Sequence, residues 1–137
     1  MSVISASSDS SPTAQHHILV VEDDPGVRMA MSMLLEVEGH RVSTASNVAE
    51  ALALARENSD IRILIVDYHL CDGELGTDAV EAVRAILGTA VKAVLITGDT
   101  SGAADKVARD TDLRILRKPV KPHDLTTVLR SLQAELA

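Results

Sequence analysis

Five short runs of aliphatic and β-branched residues, separated by segments of helical periodicity, constrain this chain more than any other feature. The runs are HILVV at 17–21, RVSTA at 41–45, IRILIV at 61–66, VKAVLIT at 91–97 and LRIL at 113–116. Most are apolar on both parities, as in strands covered on both faces. The intervening helices carry their own start and stop signals. Asp24-Pro25 offers an N-cap and a first-turn proline ahead of Val27, Ala30, Met31 and Leu34, with Glu38-Gly39 as the stop. Asn47 followed three residues later by Glu50 is a capping-box pattern before VAEALALA. Ala79, Val80, Val83, Ile86 and Leu87 form one apolar stripe, and Leu125, Val128, Leu129, Leu132 and Leu136 form another in a last helix opened by Pro122. Segment 100–109, small and polar, has the weakest helical pattern. Strands alternating with helices predict a parallel sheet with right-handed crossovers.

At 137 residues and 46% hydrophobic content, one domain with a substantial core is expected. Residues 1–15, rich in Ser, read as a flexible leader or cut linker, leaving 16–137 as the folded domain. Adjacent His16 and His17 read as incidental on such a tail rather than as a metal pair. The net charge of −7 argues against nucleic acid as a direct partner, because phosphate binding needs a basic face. The single cysteine, Cys71, excludes an internal disulfide and suits a reducing cytoplasm. No apolar run reaches the roughly 18–20 residues of a membrane span, so no membrane insertion is expected.

Two architectures fit the alternation: a Rossmann-like half, and a flavodoxin-like doubly wound (βα)5 fold with a five-stranded parallel sheet of order 2-1-3-4-5. The turn after the first strand separates them. A dinucleotide site needs glycines there, whereas this chain has Glu22, Asp23 and Asp24, which would repel phosphate. Ligands of doubly wound sheets bind at the carboxyl ends of the strands. Those ends carry Glu22 and Asp23, then Asp67, then Thr97, with Lys118 just past the fifth strand.

Carboxylates gathered on one rim repel by about 4 kcal/mol per pair at about 4 Å and an effective dielectric of about 20. A divalent cation removes that penalty, and oxygen ligands with room for water suit Mg²⁺ better than zinc. Asp24 is better explained as the helix cap. Asp67 could serve as a nucleophile toward phosphorus, with Mg²⁺, the Lys118 ammonium and the Thr97 hydroxyl each taking a phosphoryl oxygen. Each residue also has a plainer role. Glu22 and Asp23 could be solvated charge favoured by a helix dipole, Thr97 a β-branched strand residue, and Lys118 a surface lysine. His40, His123 and Cys71 read as incidental, and Met29, Met31 and Met33 as core filler or helix surface.

Taken in order, VVEDDPGVR, LIVDYHL, LITGDT and LRKPVKPHDL resemble the receiver domain of two-component response regulators over about residues 17–136. The resemblance implies that Glu22 and Asp23 are the acid pair, with Asp23 the more direct Mg²⁺ ligand. It implies Asp67 as phosphoacceptor and a further metal ligand, and the backbone carbonyl of His69 as another. Thr97 becomes the switch hydroxyl and Lys118 the phosphate-binding lysine, with Lys118-Pro119 a candidate cis peptide. His69 and Asp99 would tune access to the site. The implied partners are a histidine kinase or histidine phosphotransfer protein and a downstream protein bound through the 100–136 face. The chain would be either a free-standing receiver or the C-terminal receiver of a hybrid kinase, with no output domain after the last helix.

Three features depart from that pattern. Ile115 stands where an aromatic switch residue is usual, and Tyr68 is the sole aromatic of the chain. The loop HLCDGELGTD at 69–78 has two glycines, suggesting mobility beside the site. The third is that no output domain is expected after the last helix, since only some 20 residues follow Lys118. Two other readings fit the same residues less well: a non-phosphorylated interaction scaffold of the same fold, and a small phosphatase of the haloacid dehalogenase type. The latter would want an acid two residues after Asp67, where His69 stands.

Overall fold

All five apolar runs are strands, shifted by at most a residue or so from their sequence bounds. A computed structural model describes residues 16–98, 102–111 and 113–136. The leader expected at 1–15 and the tuning position Asp99 lie outside the described residues. In chain order the elements are β1 (His17–Val21), α1 (Pro25–Val37), β2 (Arg41–Ala45), α2 (Val48–Glu57), β3 (Ile61–Asp67), a 3₁₀ turn (Cys71–Gly73), α3 (Gly76–Leu87), β4 (Lys92–Thr97), α4 (Ala103–Thr111), β5 (Arg114–Arg117) and α5 (Pro122–Leu136). The sheet is parallel throughout, in the order β2-β1-β3-β4-β5. This is the doubly wound order 2-1-3-4-5. Among the described residues no helix is long and apolar enough to cross a membrane.

Alternate strand residues feed two separate cores. Ile18, Val20, Ile63, Ile65, Val94 and Ile96 face Met31 and Leu35 of α1 and Leu125, Leu129 and Leu132 of α5. Leu19, Val21, Leu64, Val66 and Leu95 face Ala51 and Ala55 of α2, Ala79, Val80 and Val83 of α3, and Ala104 of α4. Each of the three α5 leucines is at least 97% buried, contributing about 1.5–3 kcal/mol by removal from water. The small polar segment expected to be the least helical does form α4, anchored by buried Ala104 and preceded by Gly102 at φ +90°.

The caps explain where the helices begin. The Asp24 side chain accepts from the N–H groups of Gly26 at 2.8 Å and Val27 at 3.1 Å, as its sequence position predicts. Asn47 caps α2 by accepting from the Glu50 N–H at 2.8 Å. The reciprocal bond differs from the expected box. Glu50 reaches back to the N–H of Ser46 at 2.7 Å, one residue before the cap, because the Ser46 hydroxyl adds a second donor at 2.8 Å. Helix α3 starts two residues before the sequence pattern suggested, where the Asp78 carboxylate accepts the N–H of Leu75.

Three sequence expectations are revised by packing. Val27 and Ala30 are not in the core: α1 buries Met31 and Leu35, while Val27 stays 39% exposed over an apolar groove with Pro119, Val120 and Leu125. Ile86 lies at the edge of its stripe and is exposed. His17 is a buried strand residue, not part of a tail. Its Nδ1 pairs with Asp60 Oδ1 at 2.9 Å and its Nε2 with the Ser43 hydroxyl at 2.7 Å, tying β1 to β2 and to the turn before β3. His40 is half-buried and accepts the His16 backbone N–H, and burial pushes its pKa down.

Candidate functional site

Parallel strands of this order end at one edge, and their last residues, or the ones just past them, carry the polar side chains singled out above. Glu22 follows β1 and donates its backbone N–H to Ala45 O at the end of β2, at 2.9 Å. Asp67 is the last residue of β3 and is paired across the sheet with Ile96, so Thr97 lies one step past it on β4. Thr97 in turn pairs with Arg117, so Lys118 is one step past the end of β5. The Lys118 N–H bonds Thr97 O at 2.9 Å, continuing the sheet into the loop, and the Lys118–Pro119 peptide is cis.

Residues separated widely in sequence therefore meet. Lys118 Nζ donates to Asp67 Oδ2 at 3.0 Å; Asp67 is buried, while the lysine side chain remains 41% exposed. Carboxylate oxygens of Glu22, Asp23 and Asp67 lie within 4.8 Å of one another. Thr97 is fully buried at the same edge. Asp24 is exposed, and its carboxylate is engaged at the start of α1.

Glu22 is the unusual member. The residue is 2% exposed, and Oε2 accepts the Asp24 N–H at 3.1 Å, yet Oε1 is buried with no hydrogen-bond partner. Arg28 does not serve that carboxylate; its Nη1 donates to the Glu22 backbone carbonyl at 2.8 Å. Burial and the nearby Asp67 and Asp23 carboxylates push the Glu22 pKa up to about 7, against the Asp24 N–H and the Lys118 charge. Burial also acts to raise Asp23, but the neighbouring Glu22 carboxyl and the hydrogen bond from the Cys71 thiol outweigh it and hold that acid below the usual carboxylate range. Desolvation works against the Lys118 ammonium, and the acids facing it, Asp67 foremost, more than compensate and raise its pKa.

A buried carboxylate oxygen without a donor, in a cluster of three acids facing one ammonium, fits a small hard cation. The donor set is all oxygen at its core, which suits Mg²⁺. His69, named for its backbone carbonyl, follows Asp67 by two residues. Its ring is exposed and lies edge-on to Tyr68 at 4.7 Å. The bridge it forms with Leu75 uses the bonds Leu70 N–H to Glu74 O and Gly76 N–H to Tyr68 O, so it leaves the His69 carbonyl out.

The 69–78 loop folds back as a tight turn, and its glycines are geometric rather than spare. Gly73 takes φ +77° beside Asp72 at φ 60°. A Cβ on Gly76 would lie 2.3 Å from the Asp67 backbone oxygen, so only glycine lets α3 approach the strand end this closely. The turn also places Cys71, read from sequence as incidental, where its Sγ–H donates to Asp23 Oδ2 at 3.3 Å. That bond to Asp23 is the main cause of the raised Cys71 pKa. Position four residues after Asp67, in a loop that must return to the sheet, was the available signal. Ile115 is half-buried and packs against the core cluster that holds Tyr68.

Comparison with known proteins matches residues 18–130 to the family model described as "Response regulator receiver domain". Phyllosphere-induced regulator PhyR of Methylorubrum extorquens is 30% identical over 119 residues, covering 82% of this chain and 41% of that protein. Protein PilH of Pseudomonas aeruginosa is 32% identical over 126 residues, covering 88% of this chain and 97% of PilH. The crystal structure of a CheY-like response regulator receiver domain protein from Methanospirillum hungatei superposes with a TM-score of 0.78 at 27% identity, covering 89% of this chain and 96% of that one. Against PhyR and two further curated regulators the chain spans only 41–46% of their lengths.

Proposed function

This chain belongs to the response regulator receiver domain family, and from that membership we propose that Asp67 accepts a phosphoryl group from a phosphohistidine donor in a Mg²⁺-dependent reaction. The observation that carries the proposal is the 3.0 Å contact of Lys118 Nζ with Asp67 Oδ2 beside an acid cluster containing an unpartnered buried oxygen. In this reading an Asp67 oxygen attacks phosphorus, the bond to the donor's imidazole nitrogen breaks, and the imidazole leaves with the electron pair. Asp23, Asp67 and the His69 carbonyl would hold Mg²⁺, with Glu22 behind them, and the bound ion would neutralise charge on a phosphoryl oxygen. Lys118 would turn from Asp67 to face a second phosphoryl oxygen as a compact charge. The Thr97 hydroxyl donates to a third. Gly76 keeps the approach to Asp67 open by allowing α3 to pack without a side chain against the Asp67 carbonyl.

Phosphorylation adds nearly two negative charges at the strand ends. Thr97 and Lys118 both lie on elements bordering α4 and α5, and Arg117, the neighbour of Lys118, pairs with Asp105 of α4 at 2.5 Å. We take this face, within 100–136, as the surface a downstream protein reads, and a cytoplasmic histidine kinase or phosphotransfer protein as the donor. With Ile115 in the usual aromatic position, the readout runs through Thr97 and the start of α4 rather than through an aromatic rotamer. His69 is the tuning position at the mouth of the site.

The test is intact mass after incubation with acetyl phosphate, with and without Mg²⁺. Gain of one phosphoryl group only when Mg²⁺ is present, and none in Asp67→Asn, is the expected result. Phosphorylation that survives Asp67→Asn would remove Asp67 from the role.

A further inference from the structure

We propose that the outer face of α1 pairs with the same face of a second copy of this chain, the two helices running antiparallel about a two-fold axis at Ser32 and Met33. The helix is apolar nearly all the way round. Of its 13 residues only Arg28, Ser32 and Glu36 are polar, and they form one row spaced four apart. Met31 and Leu35 are the residues it buries against the sheet. At about 3.6 residues per turn Met33 stands on the side opposite that pair, with Met29 and Val37 about a turn before and after it. A surface helix ordinarily turns polar residues outward, whereas this one presents Met29 at 65%, Met33 at 59% and Val37 at 83% exposure. Four of the five exposed large apolar side chains among the described residues belong to α1, so the apolar surface is gathered on one helix rather than scattered.

The polar row identifies the occupant. It borders the apolar stripe on the side of β2, where a shallow groove of about 320 Å³ is lined by Arg28, Met29, Ser32, Met33, Glu36 and Thr44. A two-fold axis at the middle of the stripe brings Met33 against Met33 of the second copy and Met29 against Val37. It also keeps the two polar rows on the same side of the pair and reverses one of them. Arg28 of each copy then faces Glu36 of the other, giving two ion pairs about 12 Å apart at a rise of about 1.5 Å per residue, with the Ser32 hydroxyls between them. A parallel pair would set Arg28 against Arg28 and Glu36 against Glu36, so charge complementarity selects the antiparallel one. Nη1 of Arg28 bonds the Glu22 carbonyl, and a guanidinium has further N–H groups to offer a carboxylate. Glu36 is exposed. Unbranched methionines adapt their shape to a facing copy of themselves.

A stripe of three side chains per copy belongs with small, transient interfaces, those burying under about 1,200 Å² in all, so the pair forms only at high concentration. Sedimentation equilibrium of the full chain reads it, from about 10 µM to about 1 mM. Salt of about 0.15 M screens the net charge of −7 that each copy carries. The expected result is an average mass that rises with concentration from 14.5 kDa toward twice that value. Met33→Glu sets two carboxylates against each other at the axis and should weaken association at least about tenfold. Arg28→Glu and Glu36→Arg should each self-associate about tenfold more weakly than the wild type. An equimolar mixture of those two variants should recover wild-type association, because each change supplies the charge that the other lacks. Urea midpoints are read first on every variant, which separates loss of pairing from loss of fold. A wild-type mass that stays at 14.5 kDa up to about 1 mM overturns the pairing whatever the variants do, and leaves the stripe to a different protein partner. A mass that climbs past twice the monomer overturns the closed two-fold. Dimers that survive Met33→Glu put the contact on another face, and a mixture no more associated than its components overturns the antiparallel arrangement.

Discussion

Glu22→Gln should stabilise the metal-free protein at pH 8 and leave it almost unchanged at pH 4.5. Burial raises the Glu22 carboxyl from 4.5 to about 7 in the folded chain. Between those values the unfolded chain has already released a proton that the folded chain keeps, so the folded state binds more protons and stability falls as pH rises. The loss is complete above pH 7 and absent below 4.5. Each pH unit across that window is worth about 1.4 kcal/mol, which sets a ceiling of about 3 kcal/mol. Glutamine removes the ionisation and keeps the shape. One of its polar atoms can still accept the Asp24 N–H, while its amide hydrogens meet a neighbourhood of carboxylates where Glu22 Oε1 has no donor. The assay is urea unfolding of both proteins at pH 4.5 and pH 8 in the presence of a chelator. A gap that opens with pH in favour of the variant is expected. Adding Mg²⁺ at pH 8 should narrow it, because the ion stabilises the wild type by binding its charged pocket. A variant less stable than wild type at pH 8, or a gap that does not change with pH, would refute the argument.

Gly76→Ala should lower the urea midpoint by an amount equivalent to about 2–3 kcal/mol, because the new Cβ would sit 2.3 Å from the Asp67 oxygen and 2.8 Å from Val66 Cγ1. An unchanged midpoint would mean that α3 can move away from the strand end freely. Asp24→Ala should cost about 1 kcal/mol through loss of the α1 cap, read by the same unfolding assay, with Mg²⁺-dependent phosphorylation retained. Lys118→Ala should raise Mg²⁺ affinity in calorimetric titration, since an ammonium competing for Asp67 is gone, while slowing phosphorylation by acetyl phosphate; weaker Mg²⁺ binding would show that the lysine organises the pocket rather than opposing the ion.

Strand positions were legible because most of the runs are apolar on both faces, and helix starts because Asp24, Asn47 and Pro122 use local chemistry that needs no tertiary context. The gathering of Glu22, Asp23, Asp67, Thr97 and Lys118 on one edge was legible too, since strand order and parallel direction determine which ends coincide. Contacts decided by a fold-back were hidden. The Cys71 thiol meets Asp23 only because a 3₁₀ turn reverses the chain, and His17 finds Ser43 and Asp60 across two neighbouring segments. Stripes misled at their edges: Val27 and Ile86 have the right spacing, yet they sit at the margin of the buried face.

The site is assembled from the ends of separate strands, and Lys118 stands 51 residues from the Asp67 it contacts. No hairpin or helix pair contains even half of it. Contacts of such separation carry a loop-closure cost that must be met before they can contribute. A nascent chain lacks the pocket until β5 has joined the sheet, so a donor that acts on this chemistry acts only on molecules that have finished folding. A core substitution far from Asp67 that raises the unfolded fraction therefore subtracts directly from the pool able to carry a signal, with no change in the chemistry of the molecules that remain.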